Sequence, residues 1–431
     1  MMYNLKLLLV LTTFLLLTSS CSKPAEITEQ NVSRIIQTLS ADNMKGRNAF
    51  SKEILIAADF ITNEFTQIGL SPFPENPGFK QEFTIHSVKP AESAVSINGE
   101  NFENEHYFGL VLSEELNWTT GNASVKYISE EDGYQDKFRE FRNDDESSVI
   151  AVSTAHSKWF HRYRAYFSRS NRAFELDETP HDVFILADIP ISEYDIDLKF
   201  DVETIELFNI AGMIEGHRTD EIVLFSAHYD HIGVITPVNE DSVANGANDN
   251  ASGVSGLIEL ARYYENRPKP QRSIYFVAFT AEEAGGYGSK YFSQQIDPER
   301  FVAMMNLEMI GKPATEGPNT AWITGFDHSD LGEILQESSQ QLDFEFYPDP
   351  YPSQNLFYRS DNAPFAEMGI PAHSISTTPI DVDQDYHRVS DELKTLHIPH
   401  TTNTIRAVAK ACETIISGER TPTRIAEVTQ E

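Results

Sequence analysis

The sequence predicts an α/β fold: a mostly parallel central sheet covered by helices on both faces, carrying a β-rich insertion. Three observations predict it. After about residue 205, apolar strand-like runs alternate with amphipathic helical runs, the order that gives a parallel sheet under covering helices. Between about Phe79 and Pro190 the texture changes to short alternating runs broken by Asn, Gly, Asp and Ser clusters, as in an inserted β-rich module. The 431 residues suffice for a large core, in two domains or in one domain with a sizeable insertion.

Residues 1–20 read as a signal peptide: Lys6 precedes an apolar run from Leu7 to Leu17, and small polar residues follow up to Cys21. The run is shorter than the roughly 20 apolar residues of a membrane helix, and no later segment is apolar enough to span. Leu17-Thr18-Ser19-Ser20-Cys21 resembles the lipobox of bacterial lipoproteins, with Thr18 where that motif usually has Leu. The resemblance implies lipidation of Cys21 and an exported, membrane-anchored protein facing the periplasm or the cell surface.

Residues 21–78 are expected to be a helical part of the core, because Ile35, Ile36 and Leu39, then Ile54, Ile56, Ala57, Phe60, Ile61 and Phe65, recur at three and four, with Gly69 as a stop. Residues 79–200 are the insertion. Its basic-aromatic stretch from Trp159 to Arg172 reads as a locally folded face in preference to a ligand surface. Residues 201–418 form the core, with strands at Ile222–Ser226, Ser273–Thr280 and Phe301–Ile310 and helices at Gly253–Tyr264 and Ser289–Gln295. Residues 419–431 are expected to be a disordered tail. Cys412 sits in an apolar helical pattern with Val408, Ala411, Ile415 and Ile416 and reads as a buried thiol, so there is no disulfide framework.

Against 33 basic side chains stand 66 acidic ones, a net charge of −33. That balance argues against nucleic acid and against electrostatic docking on anionic lipid, leaving the N-terminal lipid as the only expected membrane contact.

Ligand sites in parallel sheets lie at the carboxyl ends of strands, and there the chemistry-bearing residues collect. The strand ending at Ser226 runs into Ala227-His228-Tyr229-Asp230-His231, and Gly246-Ala-Asn-Asp249-Asn250-Ala-Ser-Gly253 brings a carboxylate to the mouth of the next helix. Later strands end in Glu282-Glu283 and in Asn306-Leu-Glu308-Met309, and a late turn holds Asp385-Tyr386-His387. These are imidazole and carboxylate donors of the kind zinc accepts, with no thiolate among them. Adjacent carboxylates after a buried strand repel and stay ionised only beside cations.

In this order and spacing the motifs are similar to those of the aminopeptidase Y and aminopeptidase S family of di-zinc exopeptidases, metallopeptidase family twenty-eight. Leu39-Ser-Ala-Asp-Asn-Met-Lys-Gly-Arg47 resembles that family's N-terminal run, and Asn209-Ile-Ala-Gly-Met-Ile-Glu-Gly216 its lead-in strand. The resemblance implies the zinc-dependent exopeptidase fold, peptide substrates and two zinc ions or another divalent pair. By motif, His228 and Glu308 are implied as ligands of one metal and Glu283 and His387 of the other, with Asp249 bridging and Asp230 buttressing His228. Glu282 is implied as the general base acting on a water that bridges the ions. Glu308 stands where many relatives have Asp. Ser360-Asp361-Asn362 resembles a family run that has His at its third position, which makes Ser360 and Asp361 candidate substrate contacts. Tyr358 is a candidate oxyanion donor, although packing is the preferred reading.

The expected activity is that of an aminopeptidase. Dipeptidase or carboxypeptidase action on the same site, cyclisation of N-terminal glutamine, and a catalytically inactive peptidase-fold binding lipoprotein are the alternatives. Blocking by N-acetylation, blocking by C-terminal amidation, and zinc binding without turnover discriminate among them.

Overall fold

The computed structural model describes residues 26–169, 171–177 and 180–426. The leader, Cys21 and residues 427–431 lie outside the described residues. Helix α1 (Glu29–Leu39) begins after Thr28, whose side chain accepts the Asn31 N–H, and it buries Val32, Ile35, Ile36 and Leu39 along one stripe. Helix α2 (Ile54–Ile68) ends at Gly69, whose φ of 96° supplies the left-handed cap that a side chain would resist. Between the two helices, Asp42–Arg47 form tight turns with positive φ at Lys45, Gly46 and Arg47.

Eight strands build the central sheet around the site: β1 (Lys80–Ile97), β2 (Tyr194–Ile214), β3 (Arg218–His228), β4 (Arg272–Phe279), β5 (Phe301–Leu307), β6 (Thr320–Ile323), β7 (Glu345–Pro348) and β8 (Ala372–Ser376). Their spatial order is β7-β6-β8-β5-β3-β4-β2-β1. The four central strands β8, β5, β3 and β4 are mutually parallel, and β2 and β1 continue the sheet antiparallel. Five of the eight residues from Arg272 to Phe279 are fully excluded from solvent, as a strand covered on both faces requires. Helix α3 (Gly253–Glu265) packs against β3, together with α1, α2 and α6 (Ile398–Ala411), and Cys412 is buried there as expected. On the opposite face lies a second apolar cluster containing Leu224, Phe279, Phe292 of α4 (Tyr287–Gln294) and Phe365. Helix α5 (Leu331–Ser339) flanks β7.

The insertion is less purely β than expected. Strands 107–110, 182–186, 148–152 and 124–128 form a separate four-stranded sheet, in which 124–128, 148–152 and 182–186 run parallel. Helices Tyr134–Arg142 and Ser157–Phe167 pack on it. The second of these is most of the basic-aromatic stretch. Phe160, Tyr163 and Phe167 recur at three and four, and Phe160 is wholly buried against Phe108. The expected boundary at residue 200 falls inside β2, which pairs with β1 from Ile97↔Tyr194 to Lys80↔Ile210 and with β4 from Ile210 to Ile214. Replacing Phe160 by Ala should destabilise the insertion by about 3–5 kcal/mol through cavity formation. Urea unfolding followed by Trp fluorescence checks this.

Residues 419–426 are docked, contrary to the expected disordered tail. Ile425 is buried and its N–H donates to Gly369 O, while Arg424 donates to Pro298 O and Phe301 O. A single apolar anchor between polar residues gives no periodicity from which such docking can be read. Among the described residues no helix is long and apolar enough to cross a membrane.

Candidate metal centre

Strand register delivers the site. His228 closes β3 opposite Phe279 of β4, and Ser226 pairs with Asn306 of β5, so the segments after β4 and β5 leave the sheet at the edge where His228 sits. The loop after β3 returns Asp249 to this edge and is sewn to β5 by Asn250. That side chain accepts the N–H groups of Gly253 and Met309 and donates to Leu307 O, all within 3.1 Å. A Cβ on Gly253 would stand 2.3 Å from Leu307 O, so only glycine allows the helix to approach the strand end this closely. The Asp249–Asn250 peptide is cis.

Two donor sets meet at Asp249. His228 Nε2 lies 3.3 Å from Asp249 Oδ1 and 3.2 Å from Glu308 Oε1. His387 Nε2 lies 3.3 Å from Asp249 Oδ2 and 3.0 Å from Glu283 Oε2. Tetrahedral ligands about 2.0–2.1 Å from a zinc ion are about 3.3 Å from one another, so these spacings suit donors that share an ion. His387 Nε2 also makes no properly aligned hydrogen bond despite two carboxylate oxygens beside it, as expected of an atom aimed at a common centre between them. Each set offers one imidazole, one carboxylate of its own and one oxygen of Asp249, three protein donors that leave a coordination position open. The residues fit zinc.

Carboxylates crowd this site. Burial and the neighbouring Glu308, Asp361 and Glu283 carboxylates push Glu282 well above the ordinary carboxylate range, against the pull of His228. Burial lowers His387, but the carboxylates of Asp249 and Glu283 outweigh it and carry the imidazole up to about 10. Removing zinc should therefore destabilise the fold. At free zinc a hundredfold above Kd, an ion held only by the folded chain contributes about 2.7 kcal/mol, and calorimetry with and without chelator should show a lower Tm that added zinc restores.

The surrounding residues depart from expectation in places. Asp230 does not chiefly buttress His228: its carboxylate is 3.9 Å from His228 Nδ1, whereas its own backbone carbonyl is 3.2 Å away. The Asp230 carboxylate instead accepts the N–H groups of Glu282 and Glu283 at 3.1 and 3.4 Å and so holds the glutamate pair. Two residues after a strand end, the side chain points across to the neighbouring strand's exit and away from its own histidine. Ser360 donates to Glu308 Oε2 at 2.8 Å, fixing that side chain. Asp361 is fully buried, with neither oxygen hydrogen-bonded. Burial raises it to about 7. Asn362 bonds to Ser374, Phe357 O and Ala372 O, a structural use of this position. Tyr358 lies outside the cavity lining and packs edge-on against Phe357, in line with the packing reading.

Three residues with site contacts went unassigned in the sequence. His231, wholly buried, places Nδ1 2.7 Å from Glu283 Oε1, leaving the other carboxylate oxygen for a metal. The second histidine of His-Tyr-Asp-His was its only signal. The Asp391 carboxylate accepts the N–H groups of Asn248 and Asp249 at 2.9–3.1 Å. Arg47 is fully buried and donates to the carbonyls of Leu39, Tyr229, Asn245 and Gly246. A cavity of about 180 Å³ opens on the centre, and its lining includes Glu282, Glu283, Glu308, Met309, Trp322, Leu356 and Ile380.

Comparison with known proteins agrees with this architecture. Residues 209–412 match the model of peptidase family M28. The chain is 29% identical over 182 residues to aminopeptidase YwaD of Bacillus subtilis, covering 40% of this chain and 36% of that protein. It is 37% identical over 91 residues to a Pyricularia oryzae protein named "Probable zinc metalloprotease", covering 21% of this chain and 18% of that one. The matched segment thus spans well under two thirds of these relatives. Among solved structures, the aminopeptidase from Aneurinibacillus sp. strain AM-1 shares the fold with a TM-score of 0.55 at 19% identity, over 94% of this chain and 96% of that one. The zinc aminopeptidase BSAP from Bacillus subtilis does so with a TM-score of 0.55 at 17% identity, over 95% and 100%. Family match, fold and donor set coincide on one segment: residues 209–412, just under half of the chain, match peptidase family M28.

Proposed function

We propose that the protein is a zinc aminopeptidase, hydrolysing the first peptide bond of peptides at a centre of two zinc ions. The observation that carries this reading is Asp249, which turns one oxygen to the His228–Glu308 set and the other to the Glu283–His387 set. Bound zinc supplies Lewis acidity that polarises the scissile carbonyl and acidifies water. Glu282 lines the cavity with a carboxylate oxygen within 4.8 Å of the His228 and Glu308 donors, and its side chain makes no hydrogen bond to a described residue. Since each set already has three protein donors, Glu282 is left free to take a proton from water and return it to the leaving amine. Asp230 fixes its backbone for that task. The carboxylates facing the cavity also favour the free ammonium group of a peptide's first residue.

The test is a pool of free, N-acetylated and C-amidated peptides, incubated with residues 22–431 with and without chelator and read by mass spectrometry. Stepwise, chelator-sensitive loss of N-terminal residues from free and amidated peptides alone is expected. Loss from the C-terminus, or untouched peptides despite bound zinc, would overturn the reading. Export and anchoring through a lipid on Cys21 are part of the proposal and rest on the leader and the lipobox-like run. Radiolabelled palmitate should enter the full chain and not its Cys21→Ser variant. A net charge of −33 supports peptides over nucleic acid as partners.

A further inference from the structure

The donors around the catalytic cavity are unevenly committed. The hydroxyls of Ser374, Ser376 and Thr378 line it, but they donate to Asn362 Oδ1, Met309 O and Met309 O, at 2.8, 3.2 and 2.7 Å. They leave little for a substrate. Arg359 also lines the cavity, and its exposed guanidinium has no carboxylate within 4.0 Å and no hydrogen-bond acceptor among the described residues. Arg34 and Arg262 hold Glu64, and Arg272 holds Glu221, whereas Arg142, Arg162 and Arg388 are unpaired among the described residues but lie outside this cavity's lining. An uncommitted arginine at a catalytic cavity, in a chain with twice as many acids as bases, stands out on charge alone. The same lining holds the carboxylates of Asp249, Glu282, Glu283 and Glu308, none within 4.0 Å of the Arg359 guanidinium, the amide of Gln354, and the apolar Met309, Leu356 and Ile380. Trp322, 4% exposed, lines the same cavity, and its indole N–H has no acceptor. A planar guanidinium matches a carboxylate through two parallel N–H···O bonds.

We propose that Arg359 is a specificity residue that receives a carboxylate of the substrate, so that acidic peptides are preferred over their amide isosteres. The inference rests on the peptidase reading and names its substrate class. The carboxylate has two sources, the side chain of an N-terminal Asp or Glu, or the C-terminus of a dipeptide.

Calorimetry on the zinc-loaded protein separates them. Kd is measured for Glu against Gln and for Leu-Leu against Leu-Leu-amide in the Glu282→Gln background, so that the peptides are not cleaved, with Arg359 intact and with Arg359→Ala or Arg359→Lys added, and Tm and zinc content report folding. The acid is expected to bind about tenfold tighter than its amide in one of the pairs, the scale of a charge-assisted hydrogen bond. Arg359→Ala should bring that ratio near one, and Arg359→Lys should keep part of it. A ratio that Arg359→Ala leaves unchanged in both pairs, or no acid preference with Arg359 intact, overturns the inference. With Glu282 restored, the same ratios in kcat/KM for Glu- and Gln-anilides read the effect in turnover. If no anilide is cleaved, the aminopeptidase reading fails while the binding ratios still decide the role of Arg359.

Discussion

Glu282→Gln is expected to lower kcat by about 10²–10⁴-fold while zinc content and Tm stay near wild type. The amide keeps the shape of the side chain and removes the proton acceptor, and positioned acid–base groups contribute on this scale. The selectivity of the loss follows from the geometry. Each donor set is complete without Glu282: His228, Glu308 and Asp249 in one, His387, Glu283 and Asp249 in the other. The backbone of residue 282 is held by Asp230, which the substitution does not touch. Metal analysis beside steady-state kinetics checks the split. A variant that loses zinc in step with activity would make Glu282 a ligand and remove the proposed base.

Arg47→Met should destabilise the protein by about 3–5 kcal/mol, the scale of removing one partner from a buried charge network. The guanidinium reaches four backbone carbonyls, three of them in the segments Tyr229 and Asn245–Gly246 that flank Asp230, His231 and Asp249. Burial lowers Arg47 to about 10, opposed by the carboxylates of Asp249, Asp391, Asp230 and Glu283. Losing the cation therefore leaves carbonyls unpaired and the ligand carboxylates less compensated. Arg47→Lys should rescue little, because one ammonium cannot span the same acceptors. Urea unfolding and zinc titration against a competing chelator check both effects. Wild-type stability and zinc affinity in Arg47→Met would show that the loop is held by other contacts.

The legible part of the structure was the part with strong periodicity. Strand–helix alternation after residue 205 located β3, β4, β5 and α3 within a few residues, because both sheet faces are covered and the apolar runs are nearly continuous. The donor residues were legible because each sits next to such a run, and their motif order did the rest. What escaped were contacts between segments far apart in sequence. Arg47 meets carbonyls about 180–200 positions away, and Asp391 meets the amides before Asp249. Neither has a local signature, since hydrogen bonds to backbone depend on where loops cross and not on residue pattern. The helix at Ser157–Phe167 escaped for a different reason: its arginines and tyrosines obscured a three-four spacing of only three aromatic positions.

The pairing of metals with ligands is the account's centre, and zinc anomalous diffraction from crystals grown with the metal tests it most directly. Two peaks are predicted, one among His228, Asp249 and Glu308 and the other among Asp249, Glu283 and His387, with Asp249 touching both and Glu282 neither. A single peak, or a peak ligated by Glu282 in place of Asp249, would contradict the account.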